Sequence, residues 1–278
     1  MIDAESRFIN YAHISTKHRS KKQSETRING DMAMEEGNGR VVIVTGGGRG
    51  IPRAVAHRFA DEGDRVAVVD LMMDRAQTVA DEVNAKHPGR AQAFQCDVRS
   101  WDSVEAMVAA VGRDMGTVQV LINAAGSYFP YKMPHETTEE EWDSVIDSNL
   151  KGIFLCCKAV LPGMMAAREG RIINFASNAA RSVATALGVE YTTAKTGVLG
   201  LTRHLAREYA SYNILVNTLA PGPTDVERVR ETTSDEFYKA IPETMPLGRY
   251  GRPEEIAGAT MRSYPPVVTR RLNATASV

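Results

Sequence analysis

The chain has 278 residues, of which 43% are hydrophobic, and a formal net charge of −1 at pH 7. This length allows one large α/β domain or at most two small ones, and we expect one. A nearly neutral chain with few aromatic residues lacks the basic footprint of a protein that binds nucleic acid or an acidic membrane, so small neutral or anionic ligands are expected. The odd number of cysteines and their lack of metal-ligand spacing favour buried free thiols, no disulfide framework and no metal site. These cysteines are Cys96, Cys156 and Cys157.

Residues 1 to 38 are polar, lack hydrophobic periodicity and contain a basic run from Lys17 to Lys22. Such a segment cannot bury enough apolar surface to fold, so we predict a disordered N-terminal extension. It has no secretory apolar core, and its acidic residues fit a transit peptide poorly. No apolar run approaches the roughly 20 residues that span a bilayer. We therefore expect a cytoplasmic protein.

A glycine-rich turn follows the first predicted strand. Val41 to Val44 form a continuous β-branched run, which is typical of a strand buried on both faces. The segment from Thr45 to Pro52 then carries four glycines and opens into a helical pattern. A strand, a glycine turn and a helix can present backbone N–H groups to a diphosphate, although a glycine turn by itself is weak support for such a site.

The second predicted strand, Arg65 to Val69, ends in Asp70. A carboxylate about 20 residues beyond the glycines can accept a hydrogen bond from a ribose 2′-hydroxyl, and it repels a 2′-phosphate. Arg49 indicates the opposite preference, because a guanidinium beside that ribose could pair with the phosphate. A loop or helix-capping aspartate is the structural alternative for Asp70. On balance the pattern favours NAD, with NADP as the weaker possibility.

Further predicted strands alternate with helical patterns along the rest of the chain. They cover residues 91 to 95, 118 to 122, 171 to 175 and 214 to 219. Six β-rich segments alternating with helices indicate a single α/β domain over residues 39 to 264, built on one doubly wound, Rossmann-like parallel sheet with helices on both faces.

Tyr191 and Lys195 lie four residues apart in a helix predicted from Glu190 to Tyr212. This spacing puts the phenol and the ammonium on one face, about 6 Å apart at Cβ, where the cation can lower the phenol pKa from about 10. Taken alone, the pair is a common feature of helix surfaces. Ser177 follows the fifth strand at the end where parallel sheets gather ligands. Asn149 is a polar residue in an apolar turn of a helix predicted from Glu139 onward, and it needs a hydrogen-bonding partner.

These motifs, taken together, closely resemble the short-chain dehydrogenase/reductase family over about residues 39 to 262. The matching features are Thr-Gly-x-x-x-Gly-Ile from Thr45, Asn-Ala-Ala-Gly from Asn123, Asn149, Ser177, Tyr191-x-x-x-Lys195 and Pro221-Gly222. The resemblance implies an oxidoreductase that interconverts a secondary alcohol and a ketone with a nicotinamide cofactor. Within the family, the segments at residues 161 to 164, 176 to 181 and 221 to 225 are similar to 3-oxoacyl-thioester reductases and 2-hydroxycyclohexanecarboxyl-CoA dehydrogenases. A β-hydroxyacyl thioester or a cyclic alcohol is therefore the expected substrate.

The resemblance also implies a role for each matching residue. Tyr191 would exchange the proton, Lys195 would lower the pKa of that phenol and hold the nicotinamide ribose, and Ser177 would orient the substrate oxygen. Asn149 would hold a water in the proton relay. The residues implied to line the cofactor are Gly46, Gly50, Ile51, Asp70, Asp97, Val98, Asn123, Ala125, Gly126, Pro221 and Gly222.

The sequence departs from the family pattern at four places. Pro52 replaces a glycine, which removes an N–H near the phosphates and is expected to push Ile51 away from helical geometry. The spacing from Ser177 to Tyr191 is one residue longer than usual. Val226 stands where a nicotinamide-binding threonine is common, which leaves Thr224 as the substitute. Residues 265 to 278 do not resemble the family's last strand, so we expect a missing strand, a poorly ordered tail and a weakened homo-oligomer. The alternative function is a cofactor-binding protein with impaired or no catalysis.

Overall fold

A six-stranded parallel sheet forms the centre of the computed structural model, which describes residues 39–182 and 187–263. The strands are β1 (Val41–Thr45), β2 (Arg65–Asp70), β3 (Ala91–Gln95), β4 (Val118–Asn123), β5 (Gly170–Phe175) and β6 (Ile214–Leu219). Their spatial order is β3-β2-β1-β4-β5-β6, and every neighbouring pair is parallel. The predicted single doubly wound sheet is confirmed. The predicted N-terminal extension and the tail from residue 265 lie outside the described residues.

Helices cover both faces of this sheet. They are α1 (Gly50–Asp61), α2 (Met73–Lys86), α3 (Trp101–Asp114), α4 (Glu139–Ile146), α5 (Gly152–Ala167), α6 (Val189–Glu208), α7 (Glu227–Thr232), α8 (Asp235–Ala240) and α9 (Pro253–Arg262). Successive side chains of a strand point to opposite faces, so β1 contributes to two cores. Val42 and Val44 pack in one core with Phe59 of α1, and Ile43 packs in the other with Val104 of α3.

Successive strands are added on one side of β1 up to β3 and on the other side from β4 onward. The chain leaves β1 toward β2 and β3 and then crosses to β4 on the other side of β1. In open parallel sheets such a reversal of strand order leaves a crevice at the carboxyl ends of the strands, where ligands bind. Thr45 links the carboxyl ends of β1 and β4, because its Oγ1 accepts hydrogen bonds from the N–H groups of Ala124 and Ala125, each at 3.1 Å.

Two predicted helices differ from the structure. The helix expected to run unbroken from Glu139 is interrupted by a π-turn at Asp147–Lys151, between α4 and α5. The helix expected to reach Tyr212 ends at Glu208 and is followed by a 3₁₀ turn at Ala210–Tyr212, and Asn213 ends that turn in a left-handed conformation with φ of 60°.

The helical stretch Glu139–Ala167 is long and apolar enough to cross a membrane by length and composition, contrary to the sequence prediction. The core helix of a soluble protein passes the same test. Cys156, Cys157 and Met164 on α5 are each at most 1% exposed and belong to the core that covers one face of the sheet. The packing of α5 is that of such a core helix.

Candidate active site

Two adjoining cavities lie along the carboxyl ends of the strands. The glycine-turn cavity has a volume of about 330 Å³, and the tyrosine cavity has about 190 Å³. The predicted residues that line the first are Gly46, Arg49, Gly50, Ile51, Asp70, Asp97, Val98, Ala125 and Gly126. Those that line the second are Ile51, Gly126, Asn149, Tyr191, Lys195, Pro221, Gly222 and Thr224. Most of the predicted site residues therefore surround one continuous region.

Asp70 holds the glycine turn in place. Its Oδ2 accepts the backbone N–H of Gly48 at 3.0 Å, and its Oδ1 accepts that of Met72 at 3.1 Å. The structural alternative foreseen for this aspartate is therefore present. The carboxylate also belongs to the wall of the glycine-turn cavity, and its two oxygens have four lone-pair sites, so it can accept a further hydrogen bond.

The N-terminus of α1 has the features of an anion site. Gly46 and Gly50 have φ of 70° and 60°, a left-handed conformation that glycine adopts without strain. Among the described residues, α1 has no side-chain cap and no acidic residue in its first turn, so its N–H groups remain available to a ligand. Ile51 lies inside α1 and is not displaced by Pro52, because a first-turn N–H has no intrahelical partner to lose. This cradle fits a diphosphate.

Arg49 contacts α7, the helix that covers this end of the sheet. Its Nη1 pairs with the Glu231 carboxylate at 2.9 Å. Close by, a Cβ built on Gly50 would lie 3.5 Å from the Cβ of Val226, so the start of α7 lies directly over the glycine turn. The guanidinium of Arg49 is therefore already paired with a carboxylate.

Helix α6 carries Tyr191 and Lys195, and both side chains line the tyrosine cavity. The Lys195 ammonium lies 5.6 Å from the centre of the Tyr191 ring and donates a hydrogen bond to the Phe175 carbonyl at 2.8 Å. Burial lowers the pKa of Lys195 to about 8, since a low-dielectric surrounding disfavours the charged amine. The pair therefore lies at the carboxyl end of β5.

The pKa of Tyr191 is raised to about 12, which is opposite to the direction expected from its lysine neighbour. Burial is the largest cause, because it disfavours the phenolate. A hydrogen bond with Ser177 lowers the pKa and the nearby Tyr128 raises it, both by less. Ser177 therefore does reach Tyr191, despite a Ser-to-Tyr spacing one residue longer than the family's. Its Oγ also accepts the Ala179 N–H at 3.2 Å, which fixes the hydroxyl at the end of β5.

Asn149 is the buried residue of the π-turn. Its Nδ2 donates to the carbonyls of Ser127 at 2.6 Å and Val145 at 2.9 Å, while its Oδ1 has no hydrogen-bond partner among the described residues. A Cβ at Gly126 would collide with this Oδ1, so any larger residue there would force the Asn149 amide to move. π-turns within helices are frequent at functional sites. The unpaired oxygen in the cavity wall is suited to accept from a water or a ligand.

Two predicted cofactor residues take part mainly in internal hydrogen bonds. The Asn123 side chain lines neither cavity, because its Nδ2 donates to the Asn174 Oδ1 at 2.9 Å within a buried network that Thr202 of α6 completes. The Thr224 hydroxyl donates to the Gly222 carbonyl at 3.0 Å, which leaves only its acceptor capacity for a ligand.

The sequence reasoning missed two residues beside Tyr191. The Tyr128 ring meets the Tyr191 ring edge-on, with centroids 5.5 Å apart and an interplanar angle of 70°. The Arg228 guanidinium lies 5.1 Å from the Tyr128 ring centre and donates to the Tyr128 carbonyl. These residues are about 100 positions apart in the chain, so no local pattern signals their contact.

Cavity size alone does not identify the site. A larger cavity of about 890 Å³ lies between α1, α2 and α9, and neither Tyr191 nor Lys195 lines it. No group of three or more His, Cys, Asp or Glu side chains placed to hold a metal occurs within residues 39–182 and 187–263. The chemistry of the side chains therefore decides which cavity is the active site.

A parallel sheet whose glycine turn faces one cavity, and whose half-buried Tyr191 and buried Lys195 face the next, defines a nucleotide-binding α/β enzyme. Residues 40–236 match the family model described as short chain dehydrogenase. The chain belongs to the short-chain dehydrogenase/reductase family and is an oxidoreductase of the type that binds NAD(P).

Curated relatives carry different substrate names. The 3-oxoacyl-[acyl-carrier-protein] reductase FabG of Staphylococcus epidermidis is 39% identical over 220 residues, which are 77% of this chain and 87% of the relative. D-threitol dehydrogenase of Mycolicibacterium smegmatis is 35% identical over 224 residues, 81% of this chain and 85% of the relative. The similarity to 3-oxoacyl reductases inferred from sequence is thereby confirmed.

Solved structures of similar proteins include complexes with both nicotinamide cofactors. A 3-oxoacyl-[acyl-carrier protein] reductase from Brucella melitensis with bound NAD has a TM-score of 0.72 and 31% identity, covering 80% of this chain and 82% of the other. An actinorhodin polyketide ketoreductase with NADPH has a TM-score of 0.77 and 33% identity, covering 82% and 91%. The fold is shared across both cofactor types.

Proposed function

We propose that the protein interconverts a secondary alcohol and a ketone, with the substrate oxygen bound at Tyr191. The bound nicotinamide supplies or accepts the hydride. The observation that carries the proposal is the pair of half-buried Tyr191 and buried Lys195 in the tyrosine cavity, which shares part of its wall with the glycine-turn cavity. In ketone reduction the Tyr191 hydroxyl gives its proton to the substrate oxygen, and in alcohol oxidation the phenolate takes it. Ser177, hydrogen-bonded to the phenol, orients that oxygen.

The protonation state of Tyr191 favours ketone reduction, in which the phenol donates its proton. With a pKa of about 12, Tyr191 is protonated at pH 7 and ready to act as an acid. Lys195, with a pKa of about 8, is still mostly protonated at that pH and therefore keeps a positive charge near the phenol. Asn149 contributes an unpaired Oδ1 that can hold a water on the path to solvent.

Tyr191→Phe tests this proposal. The variant should bind cofactor nearly as well as the wild type, because the phenyl ring keeps its packing, and should lose turnover by about 10²-fold or more. Turnover is followed by nicotinamide absorbance over acetoacetyl thioesters, cyclic secondary alcohols and polyols. Tyr131→Phe, at a tyrosine that is 51% exposed, is the matched control and should keep its activity. A Tyr191→Phe variant as active as wild type would remove the proposed proton exchange.

We further propose a preference for NAD over NADP. The Asp70 carboxylate in the cavity wall would repel a 2′-phosphate by about 4 kcal/mol at 4 Å and an effective dielectric of 20. Arg49 is paired with Glu231, which supports the same preference. Arg75 also lines this wall and is the residue that would bind a 2′-phosphate. Comparing kcat/KM for the two cofactors decides between them, and a clear preference for NADP would contradict the proposal.

A 3-oxoacyl or 3-hydroxyacyl thioester is the substrate class we propose first, supported by the FabG relative, and a cyclic alcohol is second.

We also propose a cytoplasmic protein, supported by its buried free cysteines. A homo-oligomer weaker than is usual for the family is supported by β6, which has no outer neighbour among the described strands. The alternative of a cofactor-binding protein without catalysis loses one of its two supports, because α1 accommodates Pro52, and the other support, the C-terminal tail, lies outside the described residues.

A further inference from the structure

Arg228 is the one charged residue shared by the walls of both cavities in the described part of the chain. The shared residues are Ile51, Pro52, Ala124, Gly126, Val226 and Arg228. Five of them carry no charge and no side-chain hydrogen-bonding group. A ligand that extends from one cavity into the other therefore passes a single cationic side chain.

The guanidinium of Arg228 is only partly satisfied by the protein. It donates to the Tyr128 carbonyl and stacks over the Tyr128 ring. Its Nε is buried and has no hydrogen-bond partner among the described residues. Buried donors are nearly always paired, and an unpaired one on a charged group indicates an acceptor that the protein itself does not supply.

We propose that Arg228 binds the diphosphate of the dinucleotide, from the side opposite the glycine turn. This inference rests on the proposed function. If the adenosine ribose lies at Asp70 and the nicotinamide at Tyr191 and Lys195, the middle of the dinucleotide lies at the junction of the two cavities, and that middle is the diphosphate. Guanidinium groups form charge-assisted, often bidentate hydrogen bonds with phosphate oxygens.

Two neighbours support this assignment. Pro52, at the same junction, has no N–H to offer a phosphate, so a donor from α7 would replace the one that is lost. Val226, two residues before Arg228, lies against Gly50 and places the start of α7 over the glycine turn. Arg230, on the same helix, is different: it pairs with Asp225 at 2.8 Å and lines the separate cavity between α1, α2 and α9.

Calorimetric titration of Arg228→Met with NAD, ADP and adenosine tests the proposal. We expect about a tenfold to hundredfold weaker binding of NAD and ADP, and less than about a twofold change for adenosine, because only the first two carry the diphosphate. Binding of NAD should also depend less steeply on salt in the variant, since one ionic contact is lost. Arg228→Lys should recover part of the loss. Arg230→Met is the matched control and should bind all three ligands like the wild type.

Three results would overturn the assignment. Equal losses of affinity for adenosine and for ADP in Arg228→Met would mean that Arg228 only holds α7 against Tyr128. Unchanged ADP binding with a raised KM for the substrate would mean that it contacts a substrate anion. A wild type that binds neither NAD nor ADP would remove both this inference and the proposed cofactor. If ADP binding falls as expected while no alcohol or ketone reacts, the proposed reaction is wrong and the assignment of Arg228 stands.

Discussion

Replacing Lys195 by Met should change how the stability of the protein depends on pH. The lysine is 4% exposed, and burial lowers its pKa from 10.5 to about 8. Between these two values the unfolded chain binds more protons than the folded one, so the free energy of unfolding rises with pH. The stability that this group contributes is therefore fully present above pH 10.5, and it is lost as the pH falls through about 8.

The size of the effect follows from the shift. One pKa unit corresponds to about 1.4 kcal/mol, and the range from pH 7 to pH 10 covers most of the interval between the two pKa values, so over that range the wild type should gain about 2.5 kcal/mol relative to Lys195→Met. The comparison ends at pH 10 because Tyr191, whose pKa is raised from 10 to about 12, lowers the stability of the protein above that pH, and its ring lies 5.6 Å from the ammonium that the variant lacks, so its effect does not cancel. Cys157, also raised to about 12, does so from a lower pH, but both proteins contain it and its effect cancels.

Urea unfolding of both proteins at pH 7 and pH 10 measures this difference directly. The hydrogen bond from Lys195 to the Phe175 carbonyl is also lost in the variant, and that loss shifts the variant's stability at both pH values. The change with pH is therefore the diagnostic quantity. The exposed Lys239→Met is the control and should follow the wild type at both pH values. If the stability difference between wild type and Lys195→Met is the same at pH 7 and pH 10, burial does not set the charge of this lysine.

Two further predictions concern packing around the site. Gly48→Ala should weaken NAD binding by about tenfold or more and lower Tm, because its Cβ would lie 2.6 Å from the Arg75 Cβ and 2.8 Å from the Asp70 Oδ2. Gly112→Ala on α3, with nothing within 4 Å, is the control and should be neutral or stabilising; equal Tm changes in the two variants would contradict this. Thr202→Val should cost about 1–3 kcal/mol in urea unfolding, since it removes the acceptor of the Asn174 amide. Its KM values should stay unchanged, and a cost near zero would show that the network adapts.

The strands could be predicted from sequence because their signals are local. Continuous β-branched residues such as Val41 to Val44, followed by a glycine or polar exit, indicate the buried central strands, and the predicted bounds of the six strands differ from the structure by at most one residue. The π-turn could not be predicted in this way. It accompanies contacts of Asn149 with the Ser127 carbonyl, 22 residues away, and hydrophobic periodicity contains no information about that contact.

The pKa of Tyr191 shows a second limit of sequence reasoning. The spacing of Tyr191 and Lys195 places both side chains at one cavity, so their proximity can be predicted from the sequence. The extent of their burial cannot be predicted in this way, because it depends on how β5, α6 and the Tyr128 loop pack around them. Burial raises the phenol pKa and lowers the ammonium pKa together, which works against the simple expectation from charge attraction.

Asp70 shows that two interpretations left open by the sequence are compatible. Both carboxylate oxygens accept backbone N–H groups, from Gly48 and Met72, and those bonds fix the carboxylate at the end of β2. A carboxylate held in this way is a preorganised acceptor for a ribose hydroxyl, because no further ordering is needed when the ligand binds. The same contacts make it part of the glycine turn that faces the diphosphate. Cofactor preference and the shape of the phosphate cradle therefore depend on one side chain, and a substitution meant to admit NADP must also replace an acceptor for the Gly48 N–H.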